Sequence, residues 1–166
     1  GNGPQVSVVL ATYNRRELLE RLLRQLAVQT LPPGQFEVVI VDDGSPAPVG
    51  DVRDLASPAK VTLIRQANAG AAAARHRGAL AALGEVLVIT DDDMQVGPGF
   101  LAAHLAHHEA GSRRVVVGRI RSSAQLSEMP IFERFHAALL DRWGQRRLHG
   151  DAVCTGNMSL RRADYL

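Results

Sequence analysis

The run Val86 to Met94, Val-Leu-Val-Ile-Thr-Asp-Asp-Asp-Met, restricts the fold more than any other stretch of the chain. Apolar and β-branched residues follow one another from Val86 to Thr90, with Gly84 before them and Gly97-Pro98-Gly99 after. That is the length and composition of a strand buried on both faces, which belongs in the middle of a parallel sheet. The run then stops at three carboxylates. Ligands of open α/β sheets gather at the carboxyl ends of strands, and adjacent carboxylates repel one another unless a cation compensates them. Asp91, Asp92 and Asp93 therefore mark an expected site, with a metal as the expected occupant.

The rest of the chain supplies what such a strand needs. Val6 to Ala11 is a second apolar run, followed by the polar turn Thr12-Tyr13-Asn14-Arg15-Arg16. From Glu17 to Gln29, Leu18, Leu19, Leu22, Leu23 and Leu26 recur at helical spacing, and Leu31-Pro32-Pro33-Gly34 ends that helix. Phe36 to Val41 reads as a strand that also finishes on carboxylates, Asp42-Asp43-Gly44-Ser45. A weaker helix is expected over Gly50 to Leu55 and a short strand over Val61 to Ile64. Ala71 to Leu83 is Ala-rich and helical by propensity, with Gly84 at its stop. Beyond the acidic tip, Pro98 opens a helix to about Ala110, Val115 to Gly118 is a strand, Ser122 to Pro130 is irregular, and Ile131 to Trp143 is helical. Asp151 to Leu160 has no clear assignment. Strands alternating with helices predict an α/β fold: a three-layer, Rossmann-like sandwich around a mainly parallel sheet.

Length and composition bound the possibilities. The 166 residues, 46% hydrophobic, suffice for one domain with a core of its own, taken as residues 5–166 after the tail Gly1-Asn2-Gly3-Pro4. Aromatic residues make up only 4% and the arginines are scattered, so nucleic-acid binding is not expected. Cys154 is the only cysteine, which excludes an internal disulfide framework and any cysteine-only zinc site. No apolar run is long enough to span a membrane and no secretory leader precedes the first strand; a cytoplasmic setting is the expectation.

Several segments together match a known pattern. Val6 to Arg15, Val41-Asp42-Asp43-Gly44-Ser45, Asn68 with Gly70 and Ala74-Arg75, and Thr90-Asp91-Asp92-Asp93 followed by Pro98-Gly99-Phe100-Leu101 resemble the family 2 glycosyltransferases. Thr155-Gly156-Asn157 with Leu160-Arg161-Arg162 is similar to that family's next segment. The ordered set covers nearly the whole chain. The resemblance implies a GT-A fold, a nucleotide-diphosphate sugar as donor, a divalent cation (manganese or magnesium), and inverting transfer to an acceptor hydroxyl. The acceptor is open: a saccharide, a lipid-linked molecule or a small molecule.

Site residues carried over by the resemblance fall as follows. Ala11, Thr12 and Tyr13 frame the nucleotide and Asp43 contacts the base. Asp91 and Asp93 hold the metal, with Asp92 beside the nucleotide between them. Arg75 lies near the phosphates or ribose, and Asn157 on the sugar or acceptor side. The family's proton-accepting acidic segment lies beyond the Gly-Asn segment, and this chain reaches Leu166 first. It therefore looks like the donor-binding part of a longer protein, with Asp151 the in-chain carboxylate to test as a base.

Physical chemistry offers plainer alternatives for each feature. Carboxylates at a strand end also cap helices, Asp-Gly is a standard turn pair, and Arg75 is compatible with an exposed helical charge. Behind a helix start, however, an arginine and the helix amides together suit a phosphate. His104 and His108, one turn apart, are expected on a wet face with His107 and Glu109 in preference to a metal site. Cys154 is expected to pack. A stripe of Ile131, Phe135 and Leu139 is expected in the core, while Phe132 and Trp143 are alternatives for an acceptor pocket. Three rival functions remain: a GT-A nucleotidyltransferase, whose opening loop is usually Gly-rich, unlike Ala11-Thr12-Tyr13-Asn14; a haloacid-dehalogenase-type phosphatase, which needs a lysine after the acidic tip, whereas the only lysine is Lys60; and a non-catalytic nucleotide-sugar-binding domain.

Overall fold

The computed structural model describes residues 3–108, 113–121, 130–143 and 155–166. Six strands form one sheet: β1 (Val6–Thr12), β2 (Phe36–Asp42), β3 (Lys60–Arg65), β4 (Val86–Asp91), β5 (Val116–Val117) and β6 (Asn157–Arg161). The helices are α1 (Arg16–Leu26), α2 (Ala71–Ala81), α3 (Phe100–Ala106), α4 (Ile131–Trp143) and α5 (Arg162–Tyr165). The strand order is β3-β2-β1-β4-β6-β5. β1 pairs in parallel with both β2 and β4, β2 pairs in parallel with β3, and β6 runs antiparallel to β4 and β5. The mainly parallel α/β sandwich expected from the sequence is present.

Burial explains why the strands read as continuous apolar runs. Val6, Val8 and Leu10 of β1 face one side, where Leu19, Leu22, Leu23 and Leu26 of α1 and Leu101 of α3 cover them. Val9, between them, faces the other side with Val39, Leu87 and Ile89, under Ala79 of α2. A strand covered on both faces has no polar side to alternate with. The helix α2 meets the sheet through small residues, Ala74, Gly78 and Ala79. At Gly78 a β-carbon would lie 2.6 Å from Val9 Cγ1, so only glycine lets the helix settle this close.

The strand order fixes where a ligand can sit. The chain builds β1, β2 and β3 outward in one direction, then returns to place β4 on the other side of β1. That reversal leaves a crevice at the carboxyl ends of β1 and β4, the topological switch point at which α/β proteins bind ligands.

Four local expectations are corrected. The weak helix over 50–55 is a single 3-10 turn, Arg53–Ala56. The helix after Pro98 stops at Ala106 instead of reaching Ala110. Part of the unassigned segment 151–160 is β6, which inserts between β4 and β5. The apolar stripe of α4 is not core: Ile131 is 84% exposed, Phe135 68% and Phe132 76%, while Ala137 is buried. Helical periodicity reveals an apolar face but not what covers it, and no described element covers this one. Asp151, Cys154 and the segment 122–129 lie outside the described residues.

Leu22 is fully buried between α1 and the sheet. Leu22→Ala is expected to cost about 2–5 kcal/mol through lost burial and the cavity left behind. The midpoint of urea unfolding measures it.

Candidate functional site

At the switch point lies a cleft of about 330 Å³, lined by Ala11, Thr12, Tyr13, Arg15, Asp43, Ala71, Arg75, Asp91 and Asp92. The structure thus brings together nine described residues from four segments of sequence. Seven of the positions singled out from the sequence are among them: Ala11, Thr12, Tyr13, Asp43, Arg75, Asp91 and Asp92. Asp93 stands next to the lining, and Asn157 sits one strand away, paired with Thr90 across β4 and β6.

The two acidic strand ends are organised differently. At the end of β2, Asp42 turns inward, where it accepts hydrogen bonds from Ser45 N at 3.0 Å, from the Ser45 hydroxyl, and from Arg65 Nη1 at 2.8 Å. Asp43 turns toward the cleft. Its carboxylate accepts from Gln66 Nε2 at 2.7 Å and from the backbone amides of Ala69 and Gly70, both at 2.9 Å. Burial pushes the Asp43 carboxyl up, but the Ala69 amide, the Gln66 side chain and the Gly70 amide outweigh it, leaving the group below the usual carboxylate range. Asp43 is thus an anion that also clasps the loop leading into α2. Gly44, at φ +79°, carries the turn, and a β-carbon there would lie 2.7 Å from Asn68 N. Only glycine adopts that conformation in that space.

At the end of β4 each carboxylate has an arginine partner or shares one. Asp91 pairs with Arg75 of α2. Asp92 is buried; it accepts from Thr12 Oγ1 at 2.8 Å and from Arg15 Nη1 at 3.3 Å. Arg15 also reaches Asp93 Oδ2 at 3.5 Å. Burial pushes the Asp92 carboxyl above its ordinary range, against the Thr12 hydroxyl and Arg15, and the neighbouring Asp93 adds to the rise. The middle residue of the acidic tip is therefore a fixed internal anchor, whereas Asp91 and Asp93 project from the strand end. Arg15 is a further site residue, to which the motif Val6 to Arg15 assigns no role by itself. Its signal was its place in the turn after β1, at the end where β4 presents its carboxylates.

The histidines overturn the wet-face expectation. His104 and His108 are both 4% exposed; of these three neighbouring histidines His107 alone faces outward. His104 Nε2 lies 2.7 Å from Asn157 Oδ1, His104 Nδ1 lies 2.8 Å from Ser159 Oγ, and Ser159 Oγ lies 2.7 Å from His108 Nε2. An amide oxygen can only accept, so His104 donates through Nε2 and its Nδ1 accepts from the Ser159 hydroxyl. That hydroxyl in turn accepts from His108 Nε2. The result is a one-directional chain of hydrogen bonds ending on Asn157. The sequence hid it because Ser159 and Asn157 lie on β6, a strand with no clear sequence signal. Burial is the main cause that lowers both imidazoles below their ordinary range. Asn157 opposes it at His104; Arg161, His104, Arg114 and His107 reinforce it at His108. Three of their four ring nitrogens are engaged in this chain, and His108 Nδ1 is buried without a hydrogen-bond partner among the described residues. Among the described residues, no three His, Cys, Asp or Glu side chains converge as a metal cluster.

A sheet of this order with a crevice framed by acidic strand ends defines a GT-A glycosyltransferase fold, and the comparisons with known proteins agree. The model of glycosyl transferase family 2 matches residues 7–166, and the chain belongs to that family. Validoxylamine A glucosyltransferase of Streptomyces hygroscopicus subsp. limoneus is 39% identical over 119 residues, 69% of this chain and 26% of that protein. Among solved structures, the mannosyltransferase PcManGT from Pyrobaculum calidifontis, in complex with GDP-Man and Mn2+, is similar with a TM-score of 0.64 and 28% identity, over 72% of this chain and 36% of that one. S. aureus TarS in complex with UDP-GlcNAc gives a TM-score of 0.63 and 26% identity, over 72% and 35%. The chain thus spans about a quarter to a third of the length of these relatives. No described helix is long and apolar enough to cross a membrane.

Two outcomes are expected. In Asp43→Ala, the amides of Ala69 and Gly70 lose their charged acceptor, and their hydrogen exchange accelerates by roughly tenfold or more, as hydrogen bonds to charged groups contribute about 1.5–3 kcal/mol. The imidazoles govern the second. Unfolded, each takes up a proton near the ordinary value of 6.5; folded, each stays neutral to lower pH. The unfolded state then holds more protons, so stability is full above about pH 6.5 and falls as pH drops below it. Urea midpoints measured from about pH 7.5 down to about pH 5.5 record the fall, which is shallower in the doubly substituted His104→Gln, His108→Gln protein.

Proposed function

We propose that this chain binds the nucleotide-diphosphate sugar donor of a glycosyltransferase, in an inverting, metal-assisted transfer to an acceptor hydroxyl. The observation that carries the proposal is the convergence of Asp43, Arg75, Arg15, Asp91 and Asp92 on one cleft at the β1/β4 switch point, with Asp93 beside its lining. In this reading Ala11, Thr12 and Tyr13 frame the nucleoside, and Asp43, held ionised by its amide donors, accepts from the base or ribose. Arg75 contacts the phosphates.

The donor set fits a divalent cation. Asp91 and Asp93 offer hard oxygen atoms at the end of a rigid strand, and guanidinium groups already stand in for positive charge beside them. Magnesium and manganese sites commonly use one or two carboxylates, with phosphate oxygens and water completing the shell. When bound, the cation would neutralise charge developing on the departing diphosphate. Asp92 keeps the tip in place through Thr12 and Arg15. Asn157, oriented by His104, is assigned to the sugar or acceptor side. The neighbours in complex with GDP-Man and with UDP-GlcNAc support a nucleotide-sugar donor and leave the base open between them.

Thermal-shift titration with UDP, GDP and TDP, each with and without Mn2+, tests the proposal. At least one is expected to stabilise the protein in a manganese-dependent way, by about 2.7 kcal/mol at 100 times its Kd. Asp93→Ala is expected to remove the dependence on manganese while the protein stays folded. Equal shifts with and without the metal for every nucleotide would count against it.

A further inference from the structure

The loop that leaves the β4 tip, residues 92–99, is tied down by side chains from one edge of α1 and the turn after it. Arg21 Nη2 donates to the Asp93 carbonyl at 3.1 Å, Gln25 Oε1 accepts from Val96 N at 2.8 Å, and Gln29 Oε1 accepts from Leu101 N at 3.0 Å. We infer that Gln25 and Gln29 are positioning residues for Asp93: they fix the path of this loop, and through it the place of Asp93 at the rim of the cleft. The inference rests on the donor-binding proposal above, which gives Asp93 to the cation, and adds the residues that hold it there.

The three side chains fall at i, i+4 and i+8, the spacing that lines residues up along one helix edge. The fold lays that edge against the loop. Gln29, just past the end of α1, is the most firmly engaged of the three. Its Nε2 donates to the carbonyls of Gly97 at 2.9 Å and Gln25 at 3.1 Å, while its Oε1 faces the Leu101 amide. Carbonyls only accept and a backbone amide only donates, so the Gln29 side chain has a single orientation here. Thr30 secures the same stretch: its backbone N donates to the Pro98 carbonyl at 2.8 Å and its hydroxyl to the same oxygen at 3.2 Å. Val96 and Phe100 pack against the core beneath.

Asp93 needs this support more than its neighbours do. Asp91 is the last residue of β4, and Asp92 is buried and fixed by Thr12 and Arg15. Asp93 lies beyond both. Its side chain is 51% exposed, and its ion pair with Arg15, at 3.5 Å, is loose and solvated. The place of its carboxylate is therefore set through the backbone. Asp92 fixes the chain on one side; on the other, Arg21 holds the Asp93 carbonyl and Gln25 holds Val96. Gln29 anchors the far end of the loop, without which the Gln25 contact would carry the strain alone. Partners that orient a ligating group from outside the coordination shell change metal affinity by about 10–100-fold when they are removed.

Two measurements on the full chain test the inference: amide hydrogen exchange without ligand, and Mn2+ binding in the presence of UDP or GDP, read from the electron paramagnetic resonance signal of the free ion. Gln25→Met removes the acceptor and keeps the length of the side chain. Val96 N is expected to exchange faster and Mn2+ to bind roughly tenfold more weakly, the lower end of that span. Gln25→Glu keeps an acceptor for Val96 N and is expected to hold Mn2+ at least as tightly as wild type. Gln29→Glu adds the same charge but sets a group that cannot donate against two carbonyls, and is expected to weaken Mn2+ as Gln25→Met does. Leu22→Val lowers stability from the buried face of the same helix and is expected to bind Mn2+ as wild type does. Wild-type Mn2+ affinity in Gln25→Met overturns the positioning role and leaves the donor-binding proposal standing. So does an equal loss in Gln25→Glu or in Leu22→Val, which reduces the effect to any change on α1. Absence of Mn2+ binding by the wild type with either nucleotide overturns both.

Discussion

Mutual repulsion among carboxylates at the carboxyl ends of the two parallel strands that flank β1 is the constraint that the rest of this structure answers. β2 ends on Asp42 and Asp43, and β4 on Asp91, Asp92 and Asp93, two strands apart on either side of β1. Such a concentration of negative charge at one rim would destabilise the sheet if it were left bare. The protein disperses it in three ways. Asp42 is satisfied internally by Ser45 and Arg65, Asp43 by neutral amides, and the β4 tip by arginines from the β1 turn and from α2. The loops between strands and helices are thus shaped by the charge they compensate. The cleft is the space left between those compensating groups.

Much of this was legible in the sequence because it is local. A buried parallel strand writes itself as an uninterrupted apolar run, and both acidic tips follow such runs directly, so strand, end and carboxylate could be read from Val86 to Asp93 and from Phe36 to Asp43 without knowing any contact. The leucines of α1 declared their face in the same way. The order β3-β2-β1-β4 brings these ends to one rim, and seven expected positions line one cleft there.

What escaped depends on contacts distant in sequence. His104 and Ser159 are 55 positions apart, and nothing at either position announces the other. Without β6 in view, histidines at helical spacing next to Glu109 read as solvated. Buried between α3 and β6 they become a neutral relay that fixes the amide of Asn157. Asp92 shows the same limit: three consecutive Asp residues look alike in a sequence, and only the fold turns one of them inward onto Thr12. The apolar face of α4 failed as a core assignment for the opposite reason. Its pattern is clear, but a pattern specifies a demand for cover and not the group that meets it.

The antiparallel setting of β6 beside β4 separates two tasks that a wholly parallel sheet would merge. Parallel strands all deliver their last residues to the rim, so whatever lies there comes from strand exits. β6 runs the other way and brings its first residue, Asn157, to the same edge, level with Thr90. The turn at Thr155 and Gly156, just before β6, therefore meets that rim, where the Gly156 carbonyl accepts from Thr90 Oγ1 at 2.9 Å. Changes in that turn act beside Asn157, one strand away from the charge-compensated crevice.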